Sequence, residues 1–409
     1  MLRIKDLFAY EILDSRGRPT VAVEARLSNG VIATAQVPSG ASTGTHEALE
    51  LRDGDPLRYD GKGVRKAVAN VRGTLLPLVV EMDAENQAAV DASMIPHKSS
   101  VGANAVLGVS CAVARAVAAS HGVPLWRYLA GERSAQLPVP MVNIYSGGLH
   151  AGRNIEFQDF LAIAHGFDTY SESLRAIVAI HAAAGKLVDA RGVADEGGWG
   201  PELESNEKAL DLLTRAIELA GFRPADQVSI AIDVAASHFH RDGHYHLATE
   251  GRVLSSDEMT DLLDSWCSRY PVSSIEDGLH EDDWGGWRVL TSRLGDRVQL
   301  VGDDLFTTNP KRVRRGIDEG AANAVLVKMN QIGTLTETFE VVDLARANNF
   351  RAVVSARSGD TEDPFLADLA VASGCGQIKV GSITRSERLA KYNRLLELEA
   401  RGGLGFKPR

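Results

Sequence analysis

The sequence predicts an α/β protein in which a closed (β/α)8 barrel follows a smaller α+β domain. After about residue 137, short apolar strands alternate with amphipathic helices of about 10–20 residues, the rhythm of βα units that build a parallel sheet. Before about residue 122, strands come first and helices follow, which is typical of an α+β domain. We expect a capping domain at residues 1–125 and a barrel at residues 137–409, packed closely because no low-complexity linker separates them.

The N-terminal domain is predicted from two strands, a turn and a helix. Thr20–Leu27 alternates between apolar and polar residues, as a half-buried strand does. Asn29-Gly30 is a strong hairpin signal, and Val31–Ala35 follows it as the partner strand. Farther on, Ala105–Ser120 is rich in alanine and valine with few polar residues, so we expect a buried helix there.

Eight strand candidates support the barrel. That many strands over about 270 residues suit a closed barrel better than an open sheet. In such a barrel the carboxyl ends of the strands meet at one rim, where active sites are built. The candidates are Val139–Asn143, Phe160–Ala164, Val228–Ile232, Ser274–Ile275, Gln299–Val301, Ala324–Val327, Ala352–Val354 and Gln377–Ile378.

The composition excludes several classes of protein. Of the 409 residues, 44% are hydrophobic and 24% are charged, an average balance that argues against disorder. The formal charge of −10 argues against a nucleic-acid partner, because phosphate backbones attract basic surfaces. The longest apolar run, Val109–Ala119, is interrupted by Arg115 and is too short to span a membrane.

The cysteines and the N-terminal residues predict a cytoplasmic protein. Cys111, Cys267 and Cys375 are odd in number and far apart, which favours neither a disulfide framework nor a thiolate zinc site. Met1–Asp6 lacks the apolar stretch of a secretory signal. We therefore expect a cytoplasmic protein whose partner is a small molecule, with no role for nucleic acid or membrane.

Charged residues follow most of the predicted barrel strands. Three strands run into carboxylates, and three acids on one dry rim would repel each other unless a cation neutralised them. Hard oxygen ligands, with no histidine or cysteine in the same register, favour Mg²⁺ over zinc. The residues at the strand ends are Asp233, Glu276-Asp277, Asp303-Asp304, Lys328, Arg357-Ser358 and Lys379.

The two lysines of this set are expected to lie close together. Lys328 and Lys379 would each raise the cost of charging the other, as would a nearby divalent ion, so we expect a lysine pKa lowered toward the range of a general base. Arg357-Ser358, at a strand-to-helix junction, suits an anionic phosphoryl oxygen. Any single acid at a strand end is more simply a helix cap, but so many in successive strands indicate an active site.

Several long motifs bear on identity as well as chemistry. Through them the chain resembles the enolase (phosphopyruvate hydratase) family over essentially its whole length. Ungapped matches of this length are highly specific. The motifs are Asp14–Thr20, Pro38–Gly44, Leu51–Asp55, His150–Gly152, Asp195–Gly198, Asp233–Ser237, Lys328–Gly333 and Arg385–Asn393.

The resemblance implies a fold and a metal requirement. It implies an enolase-like barrel with an N-terminal α+β domain, two Mg²⁺ ions in each active site and assembly as a homodimer or higher homo-oligomer. The first Mg²⁺, which grips the substrate carboxylate, would be held by Asp233, Glu276 and Asp303. Ser42, in the Gly/Ser-rich segment, would help to hold the second Mg²⁺ with the substrate phosphate, although an ordinary surface loop explains this segment about equally well.

The same resemblance implies roles in catalysis and substrate binding. Lys328 would remove the proton α to the carboxylate, and Lys379 would stabilise the resulting negative charge. Glu196 would assist the departing hydroxyl as general acid, with His150 lining the same pocket. The phosphoryl group would be bound by residues already named for that chemistry, Arg357 and Ser358.

Two departures from the family lie near the leaving hydroxyl. Ala356 stands where enolases carry a histidine, and Asp159 replaces a glutamate among the catalytic residues. Losing an acid–base group typically costs about 10²–10⁴-fold in rate, so ordinary dehydration should be impaired. We therefore expect a specialised paralogue, similar to carboxyphosphonoenolpyruvate synthase of phosphonate and phosphinate natural-product biosynthesis, acting on a small phosphorylated or phosphonylated carboxylic acid. The alternatives are ordinary glycolytic enolase and a non-catalytic binding protein on the same scaffold.

A group of four histidines resembles a metal cluster. They flank Asp242-Gly243, a hairpin turn signal, so they should alternate along an exposed ribbon. Without cysteine or carboxylate partners at ligand spacing, we interpret them as surface residues rather than as a zinc site. They are His238, His240, His244 and His246.

Overall fold

The N-terminal domain is built on an antiparallel three-stranded sheet. The computed structural model describes residues 1–40, 44–188 and 192–408. The sheet order is β1-β2-β3, with β1 at Ile4–Leu13, β2 at Pro19–Leu27 and β3 at Ile32–Gln36. The predicted hairpin is confirmed, because Arg26 pairs with Ile32 across the turn. Sequence analysis did not predict β1, whose exposure pattern departs from strict alternation.

One long helix forms the core of this domain. α5 (Ala103–Ser120) is buried along nearly its whole length and packs on β2 and β3, as predicted for a buried helix. A Cβ added at Gly108 would lie 2.4 Å from Val23 Cγ2, so this glycine permits the close approach of helix and sheet. α5 is long and apolar enough for a membrane span, but 83% of that stretch is buried inside the protein. The other helices are α1 (Arg65–Asn70), α2 (Leu76–Val79), α3 (Gln87–Met94), α4 (Lys98–Val101) and α6 (Leu125–Ala130).

The second domain is a closed eight-stranded barrel, and all eight predicted strands belong to it. Its strands follow the order β10-β11-β12-β13-β14-β4-β5-β6 around the barrel. Aliphatic side chains such as Met141, Leu161 and Leu326 form a separate buried cluster within the barrel strands. The strands are β4 (Val139–Ser146), β5 (Asp159–Ala164), β6 (Val228–Asp233), β10 (Val272–Glu276), β11 (Gln299–Gly302), β12 (Ala324–Val327), β13 (Arg351–Ser355) and β14 (Gln377–Gly381).

The expectation of an all-parallel sheet is wrong at one strand. β5 runs antiparallel to both of its neighbours, β4 and β6. β4 and β5 are joined by residues 147–158 without a crossover α-helix, and antiparallel strands do not need one. The first residue of β5, Asp159, therefore lies at the same rim as the last residues of its neighbours, pairing with Ser146 and Asp233.

Helices surround the barrel on the outside, and a small three-stranded sheet lies beside it. That sheet consists of β7 (His240–Arg241), β8 (His244–Leu247) and β9 (Arg252–Leu254). The helices are α7 (Tyr170–Leu187), α8 (Asn206–Leu219), α9 (Ser256–Arg269), α10 (Trp284–Leu294), α11 (Pro310–Glu319), α12 (Met329–Ile332), α13 (Leu335–Ala347), α14 (Phe365–Ser373) and α15 (Ser386–Arg401).

Candidate active site

The strand ends bring the predicted acids and lysines together at one rim. Glu276, the last residue of β10, is in register with Asp233 at the end of β6. Lys379 on β14 donates hydrogen bonds to both, with its Nζ 2.7 Å from Asp233 Oδ2 and 2.7 Å from Glu276 Oε2. Lys328, directly after β12, donates to Asp303 at the end of β11. The rim therefore holds one bonded group of Lys379, Asp233 and Glu276 and a second pair of Lys328 and Asp303.

Carboxylates outnumber lysines at this rim. Burial, and then the charge of Asp233, raises the pKa of Glu276 well above its usual range. The carboxylate oxygens of Asp277, Asp303 and Asp304 also lie within 4.8 Å of one another. Burial and the neighbouring Asp303 raise the pKa of Asp304 to about 8. A buried group of oxygen donors with an excess of negative charge fits Mg²⁺, which prefers such ligands.

The side chains around Lys328 raise its pKa, so the predicted lowering rests on the divalent ion and stays a prediction. Burial lowers the pKa of Lys328, but the charges of Asp303 and Glu276 oppose this effect, and the net shift is upward. Lys379 opposes the charging of Lys328 as expected, but the nearest charged group is the Asp303 carboxylate. A cation bound by the same acids would reduce their pull on the lysine proton.

A second cluster lies on the connection between β4 and β5 and on the 195–198 segment. His150 Nδ1 is 2.9 Å from Asp159 Oδ2, and its Nε2 is 3.9 Å from Glu196 Oε1. Burial lowers the pKa of His150, but Asp159 and Glu196 outweigh it and raise the pKa to about 9. Asp159 also accepts hydrogen bonds from Ser146 Oγ (3.1 Å) and from the amide of Asn143. His150 therefore lies between two carboxyl groups that favour its charged form.

The predicted phosphoryl-binding residues adjoin the lysine cluster. Arg357 is 4% exposed and makes a bidentate ion pair with Glu47, through Nη1 to Oε2 at 2.9 Å and Nη2 to Oε1 at 3.1 Å. Its Nη1 also donates to Asn330 Oδ1 at 3.1 Å. The other predicted residue of this group, Ser358, is buried beside it. Ser42 lies outside the described residues, so its predicted role stays a prediction.

The C-terminal helix holds the predicted phosphoryl-binding segment in place. Arg388 on α15 is fully buried and donates from Nη1 to the carbonyl of Arg357 (2.6 Å) and from Nη2 to the carbonyl of Ser358 (2.6 Å). Lys391, one turn later, bonds Asp360 Oδ1 at 2.8 Å. Both residues belong to the motif Arg385–Asn393, which explains why a helix far along the chain belongs to the site.

One continuous cleft is lined by most of the predicted residues. Three predicted acids lie next to the lining residues and bond to them: Asp159 to His150, Glu276 to Lys379, and Asp303 to Lys328. The cleft also contains Ala356, the position of the first departure from the family. The lining comprises His150, Gln158, Glu196, Asp233, Lys328, Ser355, Ala356, Arg357, Ser358, Lys379 and Val380.

Sequence reasoning missed residues that position the predicted ones. Gln158 Nε2 is 3.2 Å from Asp233 Oδ2, and Gln331 Nε2 is 2.9 Å from Asp303 Oδ1. Asp277 accepts backbone N–H bonds from residues 303 and 304 at 2.9 and 2.8 Å. Each is adjacent or close in sequence to a predicted site residue, which was the available signal. Glu47 follows the motif Pro38–Gly44 by three residues, but nothing in that motif indicated an ion pair with Arg357.

Comparisons with known proteins agree with this geometry. The family model described as "Enolase, C-terminal TIM barrel domain" matches residues 134–405, and "Enolase, N-terminal domain" matches residues 4–129. A curated protein named Enolase, from Rubrobacter xylanophilus, is 54% identical over 408 residues, covering 98% of this chain and 95% of that protein. Together with the barrel and its rim of acids and lysines, these matches show that the chain belongs to the enolase family of carbon–oxygen lyases.

Proposed function

We propose that this protein dehydrates 2-phosphoglycerate to phosphoenolpyruvate and water, the glycolytic alternative of the sequence analysis. The observation that carries the proposal is one cleft that contains a lysine for proton removal, an acid for the hydroxyl and an arginine for the phosphoryl group. These are Lys328, Glu196 and Arg357. The 54% identity to a curated enolase supports the same reaction.

Removal of the α-proton is the task of Lys328. Its Nζ would accept the proton once it is neutral, which requires its bond to Asp303 to weaken. Mg²⁺ held by Asp233, Glu276 and Asp303 would supply positive charge for the substrate carboxylate as negative charge develops there. Lys379 would add its own positive charge at the same place, since it already forms ion pairs with two of these acids.

Loss of the hydroxyl is the task of the His150 cluster. Glu196 would give a proton to the departing oxygen, and His150, which lies between Glu196 and Asp159, would return one. Charged His150 lowers the pKa of Glu196, so a proton on Glu196 depends on the bound substrate. Arg357 and Ser358 would hold the phosphoryl group while these protons move.

A specialised paralogue is the second candidate, and Ala356 is the observation that favours it. Ala356 lines the cleft without any acid–base group, and Asp159 bonds His150 from a buried position. Such a site would keep α-proton removal and act on a different phosphorylated or phosphonylated acid. Neither family match nor curated relative supports the narrower resemblance to carboxyphosphonoenolpyruvate synthase or a phosphonate pathway.

The reaction is tested with 2-phosphoglycerate and Mg²⁺, following phosphoenolpyruvate by its absorbance and α-proton exchange by NMR in D2O. Formation of phosphoenolpyruvate at a rate in the usual enzyme range, about 1–10³ s⁻¹, supports dehydration. Exchange without product would favour the specialised paralogue. Neither exchange nor product, in protein shown to bind Mg²⁺, would favour a non-catalytic scaffold protein.

Two further properties are proposed from the family alone. We expect a homodimer, which sedimentation equilibrium would measure, and a cytoplasmic location, which cell fractionation would measure. A monomeric protein at micromolar concentration would contradict the first expectation. Recovery in the membrane or secreted fraction would contradict the second.

A further inference from the structure

A second cavity lies beside the catalytic cleft, between the segment that carries His150 and the β7–β8 hairpin. Its volume is about 160 Å³, and Leu149, which contributes to its wall, immediately precedes His150. The hairpin forms as predicted, because Asp242 and Gly243 have φ of 51° and 77°, as a two-residue turn of this kind requires. The full lining is Gly148, Leu149, Arg153, Ile155, Glu156, His238, Phe239, Arg241, His246 and Ala248.

The charged side chains of this cavity leave it positive. Within residues 1–40, 44–188 and 192–408, the guanidinium groups of Arg153 and Arg241 make no ion pair or hydrogen bond. Glu156 is the only acid in the lining, and its oxygens are already used: Oε1 accepts from the Thr249 backbone N–H and Oγ, each at 2.8 Å, and Oε2 accepts from Asn206 Nδ2 at 2.8 Å. With two arginines and one carboxylate, the lining has a net positive charge, which favours an anion.

Two histidines add unused polar atoms to the same lining. His238 Nδ1 and His246 Nε2 are buried and have no hydrogen-bond partner in the described part of the chain. A buried polar atom without a hydrogen-bond partner destabilises the folded protein. A ligand that supplies the missing hydrogen bond therefore binds more tightly. The expectation that these histidines are only surface residues is therefore wrong for His238 and His246, which lie partly buried against the cavity.

The rest of the wall is apolar, and the two arginines favour an anion over a metal ion as the ligand. Leu149, Ile155 and Phe239 offer hydrocarbon surface to an occupant. Two histidines alone would suit a transition metal, but Arg153 and Arg241 repel a cation in the same space. An anion on a short hydrocarbon body uses both the arginines and the apolar wall.

We propose that this cavity binds a small organic anion, a phosphate or carboxylate on a chain of a few carbons. Arg153 and Arg241 would bind the anionic group, the histidines would donate further hydrogen bonds, and Leu149 and Phe239 would contact the hydrocarbon part. The site is separate from the catalytic cleft and does not depend on which acid the cleft converts.

The test is isothermal titration calorimetry of the full-length protein with propyl phosphate, butyrate and 1-propanol. Arg241→Ala removes one arginine, and Ala248→Phe fills the cavity while keeping both arginines. Arg314→Ala is the matched control, because Arg314 is likewise exposed and makes no ion pair in the described residues. We expect one binding event for propyl phosphate, weakened about tenfold or more in the first two variants and unchanged in the control.

The other ligands separate the possible sources of binding. Butyrate binding with the same variant pattern would show that carboxylates are accepted, and its absence would restrict the site to phosphates. Binding to the catalytic cleft would persist in all three variants, so the two sites are distinguishable. Equal binding of 1-propanol, unchanged affinity in Arg241→Ala, no binding of either anion, or tight Zn²⁺ binding that His246→Ala abolishes would each overturn the proposal.

Discussion

The two halves of the cleft are built in different ways. The lysine–carboxylate half consists of residues at the ends of parallel strands, such as Asp233, Glu276 and Lys379, whose positions follow from strand register. The His150 half lies on a long connection and at the start of the antiparallel β5. The two departures from the family are divided between the halves: Asp159 is the first residue of β5, and Ala356 directly follows the parallel strand β13. Strand ends place both positions at the rim, so the greater tolerance of loops to substitution does not account for either departure.

The largest effect is expected from breaking the lysine half. Lys328→Ala should lower kcat/KM for 2-phosphoglycerate by about 10³–10⁴-fold, because Lys379, the other lysine of the cleft, is held in ion pairs with Asp233 and Glu276. The α-proton exchange rate in D2O should fall by the same factor. Lys311→Ala is the control, since Lys311 is exposed on α11 and should keep full activity. Retained exchange in Lys328→Ala would assign the base elsewhere.

A second variant tests whether Lys379 or a bound Mg²⁺ neutralises the negative charge of Asp233 and Glu276. Lys379→Met should lower kcat by about 10²–10³-fold, because it removes positive charge from the developing anion. It also leaves Asp233 and Glu276 without their partner, which typically costs about 3–5 kcal/mol for a buried ion pair. Thermal unfolding should show that Mg²⁺ raises Tm more in the variant than in the wild type. An equal Tm increase in both proteins would mean that these acids do not hold the ion.

A smaller effect is expected from restoring the histidine that enolases carry at the position of Ala356. Ala356→His should raise the dehydration rate about tenfold, because it returns an acid–base group to the cleft. Ala356→Leu adds bulk without a titratable group and should lower the rate. The ratio of the two rates with 2-phosphoglycerate is the measurement. If Ala356→His slows dehydration as much as Ala356→Leu does, the site has adapted to a different substrate and the specialised paralogue gains support.

The smallest expected effect is on the pH dependence of the free energy of unfolding. The pKa of His150 is raised from 6.5 to about 9 in the folded protein, so its charged form stabilises the fold fully below about pH 6.5. That contribution is lost as the pH rises toward 9 and above. Urea unfolding should therefore show a stability difference between wild type and His150→Gln at pH 6 that shrinks by pH 9.5. His244→Gln, at an exposed hairpin position, should show no such trend; a constant difference for His150→Gln would contradict the shift.

Particular elements show how far sequence reasoning reaches. The eight barrel strands were recognisable because most are short apolar runs with a clear end, and the charged residues that follow six of them lie at the rim. The antiparallel direction of β5 was not recognisable, since an apolar run such as Phe160–Ala164 suits a buried strand of either direction. β1 was missed because its pattern of burial is irregular.

The sequence by itself determined the barrel, the chemical identity of its rim and the family, because apolar periodicity and strand-end residues are local properties of the chain. Only the tertiary structure decided which charges meet. It placed Glu47 of the N-terminal domain on Arg357 and set Asp303 against Lys328, where this carboxylate raises the lysine pKa despite burial. It also left the guanidinium groups of Arg153 and Arg241 without an ion-pair partner among the described residues, beside a cavity. Electrostatic energy depends on the distance between charges and on their burial, and neither follows directly from the order of residues along a chain.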